Sequence, residues 1–594
     1  MAGALVVLDF QGAEAGNEEA GPAGLTRLTV HAASTTLVAR DPWEVRPTLD
    51  EVDAWCRGGG YAFGAVAYEA ASAFDAAYPA RGDVTQPLLA FHLVQPEGVV
   101  RSTPGTTESS VPLYESFPQW TPAESRERHA AVVSEIRERI ASGDVYQVNH
   151  TVRLRAPWSG SSLPFYEALY EAHRPPYGAW MRFGELELLS MSPELFLERR
   201  GVELATRPMK GTARRGRFIA EDLARRDALL ASEKERAENV MIVDLLRNDL
   251  GRLALPGGVS VRSLLDAERH STVWQLTSTV VATCAEPPSV GAAFAALFPS
   301  GSITGAPRIA AMRQIARLEP DPRGFYCGAS GMVTPGGDFV FNVAIRTVQV
   351  DREHGVATYG TGGGITWDSQ ADAEFGELHA KAVLASKPVP RFELLETLRL
   401  EDGRFPLLQR HLARLRRSAT HFGWEADIAG VEEMLQAVAA GNDAGLHRVR
   451  LLVPRDGEPS VTVAPHSPDT RPWNVCLASE PVDAEDVFLF HKTTRREVHE
   501  GALRDRPDAD DVILWNRSGR ITELTRANLV LELDGVLVTP PVEDGLLAGV
   551  QRELAISERG VRELSLSPGD LEHASAAWAI NALRGWVPVI VRPR

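Results

Sequence analysis

The chain has 594 residues, 44% of them apolar and 24% charged, and carries a formal net charge of −17. That length allows about three or four domain-sized units or fewer large ones, and that apolar share allows sizeable cores. The acidic balance argues against nucleic acid as a partner, although local arginines can still hold a small anionic substrate.

Cys56, Cys284, Cys327 and Cys476 lie far apart without a CxxC pair. This argues against a disulfide scaffold and a zinc site, and fits a reducing compartment. The short apolar run at 4–10 follows no basic stretch and does not read as a signal peptide. No run of 18 or more apolar residues is present. The expected setting is cytoplasmic, away from membranes.

Residues 1–120 mix short apolar runs with punctuation such as Gly58-Gly59-Gly60 and read as α+β without visible chemistry. RSTPGTTESS at 101–110 reads as a loop. Residues 121–142 read as an amphipathic helix, with Val132, Val133, Ile136 and Ile140 at helical spacing and Gly143 at its C-terminal cap. The extended run DVYQVN follows at 144–149. SPELFLE at 192–198 carries Glu194 after a proline, where a turn carboxylate is the plain reading. TRPMKGTARRG at 206–216 centres on Lys210. Pro208 and Gly211 set an unusual backbone there rather than a helix face. Arg207, Arg214 and Arg215 are expected to depress the amine pKa and to suit an anion. Two strands joined by a turn would set Glu194 beside Lys210, a working pair for covalent catalysis.

Residues 232–252 read as a helix with Val240, Ile242, Val243, Leu245 and Leu246 on its buried side and Glu235 and Glu238 sharing a face. One such ExxE pair is most often a solvated face. A second pair, Glu374 and Glu377 in AEFGELHAKAVLAS, makes an oxygen-rich cage suited to Mg²⁺. Between them, FPSGSITGAPRIAAM at 298–312 reads as a glycine-rich turn and a helix start whose amides could meet an anion. Phe341, Val343 and Ile345 alternate with Asn342, Ala344 and Arg346 as in a strand. That puts Arg346 opposite the large apolar residues, where its fork suits a carboxylate. Gly362, Gly363 and Gly364 read as a turn that lets backbone approach the same group.

GDVYQVN, SITGAP and the two ExxE pairs resemble the chorismate-utilising enzymes. The lysine segment resembles that of aminodeoxychorismate synthase component I, whereas the anthranilate synthases have Ala where Lys210 stands. The resemblance is dense over 120–387 and vague before 120. It implies large antiparallel sheets with helices, and chorismate as substrate. It implies Lys210 as nucleophile, Glu194 as acid and base for the departing C4 hydroxyl, and His270 near the C4 end of the ring. Tyr326, Arg346, Gly362, Gly363 and Gly364 would bind the ring carboxylate, with Thr304 of SITGAP also on the substrate. Mg²⁺ on the four glutamates would hold a substrate carboxylate.

Residues 385–391 read as a proline-rich linker. The pattern then restarts with a strand at 392–400, a turn at Gly403 and a helix at 408–421. Lys492 follows a strand-like apolar run in FLFHKTTRR, and a desolvated amine at a strand end suits covalent attachment to a carbonyl. Residues 512–515 and 521–523 give a hairpin signal around 516–519. HLARL at 411–415, the Lys492 run, ITE at 521–523, Asn528, GLLAGVQR at 545–552 and NALRGW at 581–586 together resemble the fold-type-IV pyridoxal-phosphate enzymes, 4-amino-4-deoxychorismate lyase in particular. Branched-chain and D-amino-acid aminotransferases share that scaffold. The resemblance implies Lys492 as the cofactor lysine, Glu523 on the pyridine nitrogen and Arg414 on the phosphate. Asn528 completes the block, and Val550 and Gln551 open a phosphate cradle that relies on backbone amides, because the Thr or Ser of many relatives is absent. The leading strand of free-standing relatives is missing before Phe392, which leaves open a homodimer through this domain.

The expectation is an α+β chain with a chorismate-binding domain at 1–387 and a pyridoxal-phosphate domain at 391–594. Chorismate and ammonia would give 4-amino-4-deoxychorismate, then 4-aminobenzoate, a folate precursor, and pyruvate. No glutaminase signature is visible, so ammonia is expected from a separate glutamine amidotransferase subunit. One rival is an anthranilate- or isochorismate-type activity joined to an aminotransferase, which Lys210 argues against. The other is a second domain that only docks, which Lys492, Glu523 and Arg414 argue against.

Overall fold

The computed structural model describes residues 3–11, 25–81, 85–102, 117–382, 385, 391–469 and 471–592. The loop expected at 103–110 and the linker at 386–390 lie outside the described residues. Arg101 and Ser102 end the strand Val99–Ser102. The chain divides into two compact units. The first comprises Met1–Thr212, Leu229–Glu268 and Trp274–Pro390; the second comprises Ala213–Ala228, Arg269–Val273 and Arg391–Arg594. No helix among the described residues is long and apolar enough to cross a membrane.

The first unit is built on two sheets, each of ten strands among the described residues. The strand Val6–Gln11 shows why consecutive apolar residues suit it. Both its faces are covered, so alternate residues enter different cores. Val6, Leu8 and Phe10 join a core that draws on both sheets, with Phe63, Met332 and Val340 opposite. Val7 points the other way, into the core under the helix Leu163–His173. Asp9 shares that outer side, and its buried carboxylate is met by Arg27 through two bonds of 2.7 and 2.8 Å and by the Tyr166 hydroxyl, which donates at 2.7 Å. A third core packs the helices Pro42–Arg57, Arg126–Ala141 and Glu233–Gly251 against the other sheet.

Two expected boundaries move. The helix expected from 121 begins at Arg126, where the Ser125 hydroxyl caps it by accepting the Arg128 N–H. Thr121 and Pro122 instead pair with the strand Gln147–Pro157, which starts three residues later than the extended run expected at 144. The helix expected at 232–252 is Glu233–Gly251, capped by Ser232. Its buried stripe includes Asn239, Ile242, Val243, Leu246 and Leu250, but Val240 faces solvent because it falls off the 3.6-residue repeat.

The second unit pairs Leu394–Glu401, Leu446–Val453 and Ser460–Pro465 in an antiparallel sheet under the helices Leu408–Phe422 and Ile428–Ala440. Its eight-stranded sheet mixes parallel and antiparallel pairs, and the hairpin Asp511–Trp515 with Ile521–Leu524 forms as the turn residues require. The two segments from earlier in the chain are integral to it. Phe218 stacks on Phe490 at 5.4 Å, and the Arg217 guanidinium covers the same ring at 5.1 Å. His491 Nε2–H donates to the Arg217 carbonyl at 3.2 Å, while Arg215 holds Asp222 through two 2.7 Å bonds and donates to the His421 carbonyl. Arg269 donates to the Thr420 carbonyl.

Candidate active sites

In the first unit, Lys210 is the second residue of the strand Met209–Arg214, and Glu194 immediately precedes the strand Leu195–Arg200. Their approach takes four adjacent strands, not two. Leu195–Arg200 pairs with Glu203–Arg207, which pairs with Val273–Cys284, and Met209–Arg214 lies on the far side of that strand. Burial raises the Glu194 carboxyl to about 7, against the opposing pull of Ser302, Lys210 and the Met209 amide. Burial also lowers the Lys210 amine, with Lys381 adding to the effect and Glu238, Glu194 and Glu377 opposing it. The expected collar of arginines plays no such part. Arg207 is paired with Glu268 and Arg215 with Asp222, a guanidinium so matched projects little field, and no arginine is among the main influences on Lys210. The Asn239 amide donates to the Lys210 carbonyl at 3.1 Å and to the Leu276 carbonyl at 3.2 Å, tying the lysine strand to its neighbours.

Gly362, Gly363 and Gly364 form no turn. They lie within the strand Val356–Ile365, opposite Thr151, His150 and Asn149. What they provide is room. A Cβ on Gly364 would overlap the Gln147 amide nitrogen and stand 2.9 Å from Lys210 Nζ. One on Gly363 would lie 3.3 Å from Glu374 Oε2, and one on Gly360 would enter the Tyr326 ring. Tyr326 is buried, with the Arg153 guanidinium 5.1 Å above its ring. This bare strand is therefore a floor on which lysine, amide, carboxylate and ring converge.

Glu235 and Glu238 on one helix and Glu374 and Glu377 on the helix Ala371–Ala382 act on one another. Burial raises Glu238, with Glu235 and Glu374 adding to it against Lys210; burial and Glu377 raise Glu374. Glu377 is lowered, because Lys381 at 2.8 Å outweighs its burial. Crowded carboxylates of this kind are relieved by a divalent cation.

Arg346 is not on a strand. The alternation ends at Val343, and Arg346 sits at φ +50° before the strand Thr347–Asp351. Burial lowers its guanidinium pKa, and no carboxylate among the described residues pairs with it. The Thr304 hydroxyl is used locally, donating to the Ser300 and Gly301 carbonyls at 3.0 and 3.3 Å. The helix start expected to face an anion begins at Arg308, itself paired with Asp249. His270 belongs to the second unit, where its carbonyl accepts from Arg215 at 2.9 Å. Sequence reasoning missed Lys381, Ser302 and Gln147. Gln147 is 1% exposed, and neither end of its amide has a hydrogen-bond partner. A lone amide in the extended run GDVYQVN was the available signal.

In the second unit, Lys492 is not at a strand end. It follows a single turn of 3₁₀ helix, Val487–Leu489. Its carbonyl accepts the Leu395 N–H at 2.9 Å and Thr493 bridges to Leu394, which fixes it against the strand Leu394–Glu401. Burial lowers its amine to about 7, helped by Arg414 and Arg496 and opposed by Glu396 and Glu523. Glu523 is buried, 3.4 Å from His499 Nε2, and accepts from the Asn528 amide at 3.2 Å. Asn528 also donates to the Leu547 carbonyl at 2.8 Å, and a Cβ on Gly549 would overlap its side-chain oxygen. Gly549 caps the helix Val550–Arg559, so Val550 and Gln551 present the first free amides. Arg414 is bound to Glu396 at 2.9 and 2.5 Å through Nε and Nη2, and His411 Nδ1 joins them at 2.8 Å. Nη1 takes no part in these bonds. A buried amine near pH 7, a buried carboxylate and an open helix start suit an aldehyde cofactor that carries a phosphate.

Residues 13–386 match the family model described as chorismate binding enzyme, and residues 393–590 match that of amino-transferase class IV. Aminodeoxychorismate synthase component 1 of Escherichia coli (strain K12) is 39% identical over 262 residues, which is 44% of this chain and 57% of that protein. Anthranilate synthase component 1 of Aquifex aeolicus (strain VF5) is 36% identical over 287 residues, 48% of this chain and 58% of that protein. The chain thus spans less than three fifths of either relative. The solved structure of anthranilate synthase component I from Streptococcus pneumoniae TIGR4 superposes with a TM-score of 0.53 at 25% identity, over 64% of this chain and 95% of that one.

Proposed function

Because the chain belongs to the chorismate binding enzymes, we propose that its first unit aminates chorismate at C4, and that its second converts the product, 4-amino-4-deoxychorismate, to 4-aminobenzoate and pyruvate. The Glu194–Lys210 pair carries this reading. A carboxyl raised to about 7 beside a lowered lysine shifts the acid toward its protonated form and the lysine toward the free amine, the states a general acid and a nucleophile need.

Arg346, with no carboxylate of its own, forks onto a substrate carboxylate, and Glu235, Glu238, Glu374 and Glu377 would hold Mg²⁺, which would supply positive charge for another. The open amide of Gln147 meets a polar ring substituent. Lys210 Nζ adds to C2 while Glu194 gives its proton to the C4 hydroxyl, which leaves as water. Ammonia then adds at C4, Lys210 departs from C2, and Glu194 takes back the surplus proton. The ammonia comes from a separate glutamine amidotransferase subunit.

In the second unit, Lys492, Glu523, Asn528, Arg414 Nη1 and the amides at Val550 and Gln551 hold pyridoxal phosphate. Bound there, the cofactor supplies an electron sink next to the carbon that bears the substrate amine. Lys492 would take the proton from C4 and pass it to the departing side chain, which leaves as pyruvate while the ring becomes aromatic.

The test is one incubation of the purified chain with chorismate, Mg²⁺, pyridoxal phosphate and an ammonium salt, resolved by chromatography. 4-Aminobenzoate and pyruvate in equal amounts support both steps. Accumulated 4-amino-4-deoxychorismate removes the second step, and anthranilate removes the role given to Lys210.

A further inference from the structure

Glu124, His129 and His150 form a compact group outside the site just described. Glu124 precedes the helix Arg126–Ala141, His129 lies on the first turns of that helix, and His150 is inside the strand Gln147–Pro157. His129 Nδ1 and His150 Nε2 each stand 3.3 Å from the same oxygen, Glu124 Oε1, and the three ligand atoms lie within 4.8 Å of one another. Both imidazoles are almost fully buried, at 3% and 2% exposure, and the Glu124 side chain is 7% exposed. Neither ring nitrogen of His129 has a hydrogen-bond partner.

The His150 to Glu124 hydrogen bond is long at 3.3 Å, and His129 makes none. Charge-assisted bonds from imidazolium to carboxylate close to about 2.7–2.9 Å. Ligands held about 2.0–2.1 Å from one tetrahedral ion stand roughly 3.3 Å apart. Behind His150, Glu319 Oε1 lies 4.0 Å from Nδ1, the side on which metal-bound histidines commonly meet a carboxylate.

We propose that Glu124, His129 and His150 bind a late transition-metal dication, Zn²⁺ foremost, separately from the glutamate cage. Two imidazoles and one carboxylate select Zn²⁺ over Mg²⁺, which prefers oxygen alone. The cysteine spacing argued against a zinc site; this one uses no cysteine and draws its histidines from a helix and a strand. Its position makes it a brace. The His129 ring lies 5.5 Å from Phe375, and Phe375 sits on the helix that carries Glu374 and Glu377, while His150 pairs across the ladder with Gly363.

The test is equilibrium dialysis of the full chain against Zn²⁺ and against Co²⁺, with millimolar Mg²⁺ present to fill the carboxylate site. The expected result is one bound ion per chain, an intense visible Co²⁺ spectrum of the four-coordinate type, and affinity reduced at least about tenfold in Glu124→Gln and His150→Gln. Circular dichroism and metal-free melting temperature report whether the variants still fold. Tight binding that both folded variants retain overturns the proposal. So does a wild-type chain that takes up no Zn²⁺, or one whose bound Co²⁺ gives only the weak spectrum of an octahedral oxygen site, and neither of these outcomes needs a variant.

Discussion

Gly364→Ala tests whether the nucleophile works where the bare strand places it. The new methyl would stand 2.9 Å from Lys210 Nζ and overlap the Gln147 amide. Ordinary contact needs about 3.5 Å, so the amine must retreat by roughly 0.6 Å or the amide must swing away. Both obstacles are ends of flexible side chains, so the fold should lose less than about 1 kcal/mol. A misplacement near 1 Å costs about 10²-fold in rate, so the expected fall in kcat for amination is about 10- to 100-fold, or about 1.4–2.7 kcal/mol in the barrier. The assay follows 4-amino-4-deoxychorismate formation beside a thermal melt. Gly376→Ala is the control, since a Cβ there meets nothing within 4 Å and sits on the same helix as the metal glutamates. A Gly364→Ala variant that aminates chorismate at the parent rate would falsify the placement of Lys210. A rate loss that merely matches the unfolded fraction would show that the glycine serves the fold alone.

Lys210→Ala should abolish amination while the second unit still converts added 4-amino-4-deoxychorismate; a variant that aminates normally removes the covalent step. Glu194 must be protonated to act, so its limb of the pH–rate profile should fall as pH rises through about 7. Glu194→Gln should lower kcat by about 10²- to 10⁴-fold and erase that limb, and a limb that survives belongs to another group. Lys492→Ala should lose the visible absorbance of bound pyridoxal phosphate and let 4-amino-4-deoxychorismate accumulate; retained absorbance would reassign the cofactor lysine. Glu396→Ala strands buried Arg414 and His411 and should cost about 3–5 kcal/mol in denaturant unfolding. In the parent, Glu396 is held at about 2, so its contribution is intact above the ordinary carboxylate range and drains away as pH falls toward 2. A loss under 1 kcal/mol in the variant would mean that water reaches the pair.

Much of the local arrangement of the candidate sites was legible because neighbouring sequence constrains it. The lysine between Pro208 and Gly211, the two ExxE helices and the hairpin around Asn516 each follow from neighbours a few residues away. The errors share a cause, which is that the deciding partner is remote. Three glycines signal a turn in one dimension, but in space Gly363 and Gly364 clear room for Glu374, Gln147 and Lys210. Arg346 continues an alternating pattern until the backbone breaks after Val343, a break set by the next strand's pairing. Adjacent arginines suggest charge around Lys210, yet carboxylates pair Arg207 and Arg215, and burial, with Lys381 adding to it, lowers the amine. Lys492 follows an apolar run whose strand-like look gave no hint of a 3₁₀ turn.

The chain crosses between its two compact units five times, at 212–213, 228–229, 268–269, 273–274 and 390–391. A gene divided at the proline-rich stretch would therefore not yield two whole proteins. The downstream product would lack the residues that cover Phe490 and receive the His491 proton, and the upstream product would carry those same residues with nothing to rest on. Fusion here is an interlacing rather than a join. Proteolytic nicking at the same stretch should leave the pieces associated, and a lineage that acquired this arrangement could not shed either half by simple truncation.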